Sequence, residues 1–339
     1  MKKRLLVFLQ YLIFLGGGLA LVWWQLSGMT AEETTIFKKA IKEANYWLVL
    51  PVVILALLSH FFRTLRWRLL MQPLDYRPSV LNTFCVTMVG YLANAAVPRL
   101  GEIAKCTLLA KHEKFKADRL IGTIVIERAF DLLCYLIFIV LTVVIQINVI
   151  GGYAKEQVTN AVASKGMPLW SKLLIIAACI FFFIVLLKWL AKIYSNKKIV
   201  ISINNFFKGI KEGIITVKLL KQRHLFLVYT LLIWICYLLQ IYIGFSAMQE
   251  TQHLSIKAAC SVLTLATLAM IATPNGVGSF PLAVMATLQV YGITAETGKA
   301  FGWLIWGVST SIIIIFGVLC YLILLFNNKN NNEVRTIHT

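Results

Sequence analysis

The sequence predicts an all-α polytopic membrane protein, with about six spanning helices and two helical hairpins that enter the membrane and return to the same side. Of its 339 residues, 59% are hydrophobic and 14% are charged, whereas a soluble domain carries about 25% charged residues. The apolar residues gather in blocks of about 20, the length that crosses a hydrocarbon core about 30 Å thick. These observations exclude a large water-soluble core.

Six uninterrupted apolar blocks are expected to span the membrane. They cover residues 5–26, 47–69, 120–147, 170–191, 225–248 and 301–326. The first block follows three basic residues, as a signal peptide would, but its length and the pair Trp23 and Trp24 favour a retained anchor. We expect residues 1–326 to form a single integral membrane domain, and residues 327–339 to form a polar cytoplasmic tail.

Two further apolar blocks are interrupted by helix-breaking residues. Proline and glycine follow Asn94 within residues 80–112, and they follow Thr273 within residues 258–292. If every block crossed the membrane once, the basic stretch 99–119 would lie outside, against the positive-inside rule. We therefore predict that the first interrupted block is a re-entrant hairpin from the cytoplasm and that the second is one from the outer side.

Charge placement then orients the whole chain. This topology places most of the 33 Lys and Arg residues on the cytoplasmic side and predicts that both termini face the cytoplasm from a cell inner membrane. Arg63, Arg66 and Arg68 at the end of the second span are interpreted as orientation signals. The topology also predicts that residues 47–147 and 225–326 form an inverted repeat, an architecture known from transporters whose broken helices meet near the membrane midplane.

The net charge of +19 does not indicate a nucleic-acid-binding protein. The basic residues lie in short stretches between apolar blocks, whereas a nucleic-acid-binding protein presents them on one water-accessible face. The seven cysteines form no C-x-x-C pair, and the five histidines have no metal-ligand spacing. We therefore expect no nucleic-acid partner, no metal and no other cofactor.

The strongest polar cluster within an apolar block consists of Glu127, Arg128 and Asp131. Glu127 and Asp131 share a helix face, and Arg128 has the spacing that allows pairing with Asp131. A charged side chain at the bilayer centre costs at least about 2.5–3.5 kcal/mol on insertion scales, so such residues usually face a partner or a wet cavity. A salt-bridge cluster near the cytoplasmic interface remains the alternative, because snorkelling lowers the cost there.

The first interruption offers Asn94, Arg99, Glu102 and Lys105 as candidates for binding a substrate. The last three recur every three residues, as one side of a helix that begins after the break would place them. A guanidinium can hold a phosphate bidentately, and the free amides of a new helix add positive potential. Arg99 is the leading candidate for an anionic head group. The alternative is a cytoplasmic loop whose charges only orient the hairpin.

The second interruption carries no charge and offers Asn275, Gly276, Gly278 and Ser279. A helix break within lipid leaves costly unsatisfied amides unless it is buried in protein or lines a cavity. The break therefore indicates a binding segment with backbone amides and two polar side chains. A plain turn between two short spanning helices is the alternative.

Three motifs occur in order along the chain. They are Pro98-Arg-Leu-Gly-Glu-Ile-Ala-Lys105, Ile126-Glu-Arg-Ala-Phe-Asp131 and Thr273-Pro-Asn-Gly-Val-Gly-Ser-Phe280. With these motifs the sequence resembles the lysylphosphatidylglycerol synthase transmembrane-region family, over nearly its whole length. The resemblance implies a flippase-like integral membrane protein. In bifunctional members, this region carries a soluble domain that aminoacylates phosphatidylglycerol, and related regions accompany glycosyltransferases.

The chain departs from the family in two respects. It has only the polar tail after its last apolar block, so we expect no synthetase activity and a separate synthase or glycosyltransferase as a partner. Asn275 stands where glycine is common, and Pro281 stands where an acidic residue is frequent. The resemblance therefore does not carry over a cationic, aminoacylated head group.

The leading functional prediction is a lipid flippase or scramblase, with membrane lipids as partners. Arg99 and Lys105 would hold the head-group phosphate, while Glu102, Glu127 and Asp131 would balance charge or contact a cationic group. Two alternatives stay open. One is an ion-coupled small-solute transporter, which the same inverted hairpins would serve, and the other is a membrane-embedded transferase with a carboxylate as general base.

Overall fold

The computed structural model describes residue 16 and residues 20–25, 27–97, 100–157 and 215–336. The principal α-helices are α1 (Ala31–Lys42), α2 (Val49–Met71), α3 (Val80–Ala96), α4 (Leu100–Glu113), α5 (Ala117–Gln157), α6 (Arg223–Phe245), α7 (Ile256–Ala272), α8 (Ser279–Gln289) and α9 (Ala295–Thr336). Short 3₁₀ turns occupy Tyr46–Leu48, Gln72–Leu74 and Pro274–Gly276.

Within the described residues, four helical segments are long and apolar enough to cross a membrane. They are Tyr46–Leu74, Ala117–Gln146, Arg223–Phe245 and Ala295–Phe326. Four of the six predicted spans are thereby confirmed by length and composition. The predicted span 170–191 and most of the predicted span 5–26 lie outside the described residues. Helices α3, α7 and α8 are apolar but shorter than these four segments.

Both predicted helix interruptions are present. Helix α3 ends at Ala96 and α4 begins at Leu100, and the backbone at Val97 is extended. Helix α7 ends at Ala272, and α8 begins at Ser279 after the 3₁₀ turn. Local chemistry favours both breaks, because Pro98 and Pro274 each come two residues after a helix end and cannot continue the helix. That these helices re-enter the membrane, and that the two halves form an inverted repeat, stay predictions.

Helices α3 and α4 run antiparallel and are tied at both ends. At the interruption, the amide of Gly101 donates a hydrogen bond to Oδ1 of Asn94 at 2.7 Å. At the open ends, Oε1 of Glu113 accepts hydrogen bonds from the amide of Ser79 at 3.0 Å and from Nδ2 of Asn82 at 2.8 Å. Glu113 therefore fastens the end of α4 to the beginning of α3.

The segment before α3 and the segment after α4 are joined by an aromatic contact. The rings of Tyr76 and Phe115 stack with centroids 4.1 Å apart and an interplanar angle of 2°. Beside each ring, a residue adopts left-handed backbone geometry, with φ 60° at Asp75 and φ 58° at Lys114. Side chains from the two flanking segments therefore hold together the ends of α3 and α4 that lie away from the interruption.

Glycine permits the two backbones of this pair to touch. A Cβ on Gly101 would collide with the carbonyl oxygen of Gly90 and would lie 2.6 Å from Cγ of Asn94. We therefore expect Gly101→Ala to lower the free energy of unfolding by about 1–3 kcal/mol, as overpacking does in a dense interior. Thermal unfolding in detergent, followed by tryptophan fluorescence, measures the change.

A matched control is Gly122→Ala in α5, because nothing lies within 4 Å of the added carbon at that position. It should keep or slightly raise the unfolding midpoint, since alanine favours a helix more than glycine does. Equal midpoints for the two variants would contradict the close approach of α3 and α4.

Helices α7 and α8 also run antiparallel. The hydroxyls of Ser261 in α7 and Tyr291 after α8 share a hydrogen bond of 3.0 Å. At the other end, the hydroxyl of Ser279 donates to the carbonyl oxygen of Ala269 at 2.8 Å. These two contacts join the first turns of α7 to the residues after α8, and the first turn of α8 to the last turn of α7.

Helix α9 packs against α1, α3 and α8. Its glycines permit close approach: a Cβ on Gly302 would lie 2.7 Å from Cα of Pro281, and one on Gly317 would lie 2.8 Å from Cβ of Leu92. The turn Pro274–Gly276 lies against α3. The two interrupted segments are therefore neighbours, and α9 contacts a helix of each.

The described contacts divide the chain into two compact units. One comprises residues 1–124 together with 219–339, and the other comprises residues 125–218. The first unit holds a buried apolar cluster that includes Trp67, Met88 and Leu109. Helix α5 begins in the first unit and continues into the second.

Candidate functional site

The residues predicted at the first interruption have different surroundings. Asn94 caps the break, because its Oδ1 accepts the hydrogen bond from the amide of Gly101 at 2.7 Å. Glu102 is half-buried in the first turn of α4. Arg99, the leading candidate from the sequence, lies outside the described residues. The structure therefore assigns a capping role to Asn94 and leaves the role of Arg99 as a prediction.

Lys105 is the most deeply placed of the predicted basic residues that the structure describes. Its side chain is 4% exposed, and Nζ lies 4.4 Å from the centroid of the Trp67 ring. A desolvated ammonium over an indole face gains about 2 kcal/mol or more. Trp67 is itself held in place, because its Nε1 donates to Oγ1 of Thr123 at 2.8 Å. Lys105 therefore carries its charge inside the protein on a fixed aromatic surface.

Two arginines of α2 also point into the protein, which the sequence reasoning missed. Arg66 is 0% exposed: its Nη1 donates to Oγ1 of Thr230 at 3.4 Å, and its guanidinium carbon lies 5.7 Å from the centroid of Phe226. Nη2 of Arg63 donates to the hydroxyl of Tyr237 at 3.0 Å. Both contact α6. The two arginines are three residues apart on an apolar helix and so lie on neighbouring positions of one face. This spacing could have indicated buried side chains as well as an orientation signal.

The polar cluster of α5 lies in the second compact unit. Glu127 is fully buried, Asp131 is half-buried and Arg128 is exposed. A fully buried carboxylate requires compensating interactions, since isolated ionised groups are costly inside a protein. Both interpretations of this cluster, a functional carboxylate and a structural one, are compatible with that burial.

At the second interruption, Asn275 adopts left-handed backbone geometry with φ 52°, which asparagine tolerates better than most residues. Its carbonyl oxygen accepts a hydrogen bond from Nε1 of Trp306 at 2.9 Å. Its Nδ2 donates to Oγ1 of Thr310 at 3.4 Å. Both partners belong to α9, so this helix holds the turn in place.

The other residues of this turn are also held by the protein. The Ser279 hydroxyl lies 2.6 Å from Oγ1 of Thr273, and the carbonyl oxygen of Gly278 accepts a hydrogen bond from Nε2 of Gln25 at 2.7 Å. Gly276 and Gly278 have φ values of 70° and 72°, a region that glycine enters without steric cost. The break is a half-buried turn whose backbone and hydroxyl groups form hydrogen bonds within the protein.

Within the described ranges, no three His, Cys, Asp or Glu side chains come together as a metal ion would require. The charged and aromatic side chains buried in the described residues include Arg66 and Trp67 of α2, Lys105 of α4 and Phe226 of α6, and Glu127 is buried in α5. The described residues form long apolar helices with shorter, interrupted apolar helices between them. This arrangement defines an all-helical, multi-pass membrane protein.

The chain belongs to the lysylphosphatidylglycerol synthase transmembrane-region family, whose model matches residues 7–317. The resemblance predicted from the three motifs is thereby confirmed. The chain is also 23% identical over 312 residues to the UPF0104 membrane protein MJ1595 of Methanocaldococcus jannaschii, a match that covers 84% of this chain and 87% of that protein. No solved structure matches the chain.

Proposed function

We propose that this protein moves a lipid with a phosphate-bearing, anionic head group between the leaflets of the inner membrane, as a flippase or scramblase. The observation that carries this proposal is the buried ammonium of Lys105 on the face of Trp67. A cation in a poorly solvated site attracts a phosphate more strongly than a cation in water does. Membership of a family whose members are flippase-like supports the same function.

The position of Lys105 places this charge beside the first interruption. It lies in the second turn of α4, whose N-terminal amides point towards the break and favour anions. Arg99 would supply a bidentate contact to the same phosphate. Glu102 would balance the positive charge or contact a cationic group on the lipid, and Glu127 and Asp131 stay candidate substrate-binding residues within the second unit.

The second interrupted segment would complete the head-group path. The contact of Pro274–Gly276 with α3 supports the predicted meeting of the two hairpins. Asn275, Gly276, Gly278 and Ser279 would present polar groups to a head group that passes the midplane. A separate synthase or glycosyltransferase would supply the lipid.

Vesicles test this function directly. Purified protein is reconstituted with a fluorescent phosphatidylglycerol in both leaflets, and dithionite then quenches the label that reaches the outer leaflet. We expect quenching to proceed well beyond the outer-leaflet fraction. A parallel preparation carries a fluorescent polyprenyl-phosphate lipid. The proposal is wrong if neither lipid moves while an established scramblase moves both in the same vesicles.

The same preparation separates the two alternatives. A transferase would leave a covalently altered lipid, which mass spectrometry of the recovered membrane would detect. An ion-coupled solute transporter would accumulate a solute under an ion gradient and would leave the lipid label in place.

A further inference from the structure

Two buried polar atoms near the second interruption have no hydrogen-bond partner within the described part of the chain. They are Oε1 of Gln25 and the indole Nε1 of Trp303. The first atom is an acceptor and the second carries a donor hydrogen. Buried polar groups are nearly always hydrogen-bonded, because an unpaired group loses its hydration without compensation. Packing alone therefore does not account for these two atoms.

The side chain of Gln25 is directed at the turn by its own amide. It is 3% exposed, and its Nε2 donates to the carbonyl oxygen of Gly278, 253 positions further along the chain, at 2.7 Å. A leucine or methionine would fill a similar volume without burying an amide, which is costly unless it is fully hydrogen-bonded. Gln25 therefore carries an acceptor to the residue that precedes α8.

Trp303 approaches the same turn from α9, beside a second indole. Its ring makes an edge contact with Trp306, with centroids 5.3 Å apart, and Nε1 of Trp306 donates to the carbonyl oxygen of Asn275 at 2.9 Å. The residue before it, Gly302, packs against Pro281 in the first turn of α8. One indole therefore fixes the turn, while the donor of the other is not used by any described residue.

The turn between these two residues lies next to a surface that suits lipid. Asn275 and Ser279 are half-buried, so the turn is not closed off by the protein. The last turns of α7, which lead to it, expose the large apolar side chains of Leu268 and Ile271. In a membrane domain such side chains face acyl chains. A lipid that lies against α7 would therefore bring its head group to the turn.

The chemistry of the two unpaired atoms favours a hydroxyl as their partner. A hydroxyl donates one hydrogen bond and also accepts, so it can serve either the acceptor of Gln25 or the donor of Trp303. A phosphate diester only accepts and an ammonium only donates, so each would leave one of the two atoms unpaired. A head group with several hydroxyls could satisfy both.

We propose that Gln25 and Trp303 form a subsite for the hydroxyl groups of a lipid head group, such as glycerol or a sugar, at the second interruption. This inference rests on the proposed function and names a class of lipid for it. A head group without hydroxyls leaves both atoms unpaired, and sites with unpaired polar groups reject such analogues. Lipids with hydroxyl-bearing head groups therefore cross faster than lipids of equal charge that lack hydroxyls.

Two anionic lipids that differ in their hydroxyls test the subsite. Phosphatidylglycerol and phosphatidylpropanol have the same charge and the same head-group carbon skeleton, and each carries the fluorophore on an acyl chain. The ratio of their translocation rates in the dithionite assay is the readout. We expect phosphatidylglycerol to cross about five times faster, which corresponds to a difference of about 1 kcal/mol.

Conservative variants assign the selectivity to the two side chains. Trp303→Phe removes the unused donor and keeps a ring beside Trp306, and Gln25→Met removes the acceptor at similar length. In both, the ratio should fall towards one while the phosphatidylpropanol rate stays the same, which separates lost recognition from a general loss of activity. An unchanged ratio in either variant would remove that residue from the subsite, and an unchanged ratio in both would refute the subsite.

Thermal unfolding adds a second readout. Trp303→Phe should keep or raise the unfolding midpoint, because it removes a buried polar group that has no protein partner. The matched control is Trp47→Phe, the same change at an exposed ring, which should alter neither the ratio nor the midpoint. A lower midpoint in Trp303→Phe, with an unchanged ratio, would show that the indole donor serves the fold and not a lipid.

The unaltered protein decides the question by itself if a variant does not fold. Equal rates for the two lipids would refute the subsite, while translocation of anionic lipids would stand. Movement of neither lipid would contradict the proposed function instead. Release of entrapped sorbitol, with equal rates for the two lipids, would show that the hydroxyl site serves a free polyol and not a lipid.

Discussion

Replacing Trp67 with alanine is expected to lower the free energy of unfolding by about 3–5 kcal/mol, the range found for large aromatic residues in a packed core. The side chain is 1% exposed, belongs to the apolar cluster of the first unit and donates to Thr123. Its loss would leave a cavity, remove the donor from which the Thr123 hydroxyl accepts and deprive Lys105 of its aromatic surface. Denaturant titration in detergent micelles measures the change.

Two variants locate the cause of this loss. Trp47→Ala alters the same residue type where the ring is 84% exposed, so its effect should stay within about 0.5 kcal/mol. Trp67→Phe retains an aromatic face for Lys105 but loses the hydrogen bond to Thr123, and it should have an intermediate effect. Equal losses for Trp47→Ala and Trp67→Ala would contradict the burial of Trp67.

The largest effect on transport is expected from Lys105→Met. Methionine is similar in length and flexible, so it can still pack against Trp67 while the positive charge is removed. We expect phosphatidylglycerol translocation to slow at least about tenfold, equivalent to about 1.4 kcal/mol of lost stabilisation. Initial rates in the dithionite assay at equal protein per vesicle provide the measurement.

Lys111→Met is the control for this variant, since Lys111 is exposed on the same helix. It removes one charge from α4 without altering the buried site, and its rate should match that of the unaltered protein. A normal rate in Lys105→Met, with an unchanged unfolding midpoint, would show that the buried lysine does not act on the phosphate.

The sequence was most informative where structure is determined locally. Apolar length located the four described spans, and proline with glycine located the interruptions after Asn94 and Thr273. The Thr30 and Glu33 capping box of α1 is an equally local signal, which the lengths of the apolar blocks do not reveal. Such features depend on a few neighbouring residues, so a single sequence contains them.

Burial of individual charges could not be predicted in the same way. Arg66 and Thr230 are separated by 164 positions, and the pattern within α2 does not specify which helix will face it. Lys105 was identified because it shares a face with Arg99 and Glu102, but its contact with Trp67 depends on how α4 packs against α2. Tertiary packing decides whether a basic residue at a helix end reaches water or lies inside.

The closed construction of the α3–α4 pair has a consequence for motion. Asn94 ties one end, Glu113 ties the other, and the stacked rings of Tyr76 and Phe115 hold the flanking segments together. Segments bound in this way open as one cooperative unit and exchange their amide hydrogens together. In the proposed translocation of a lipid, the pair would therefore move as one rigid unit, and Lys105 would move with it instead of reorienting alone.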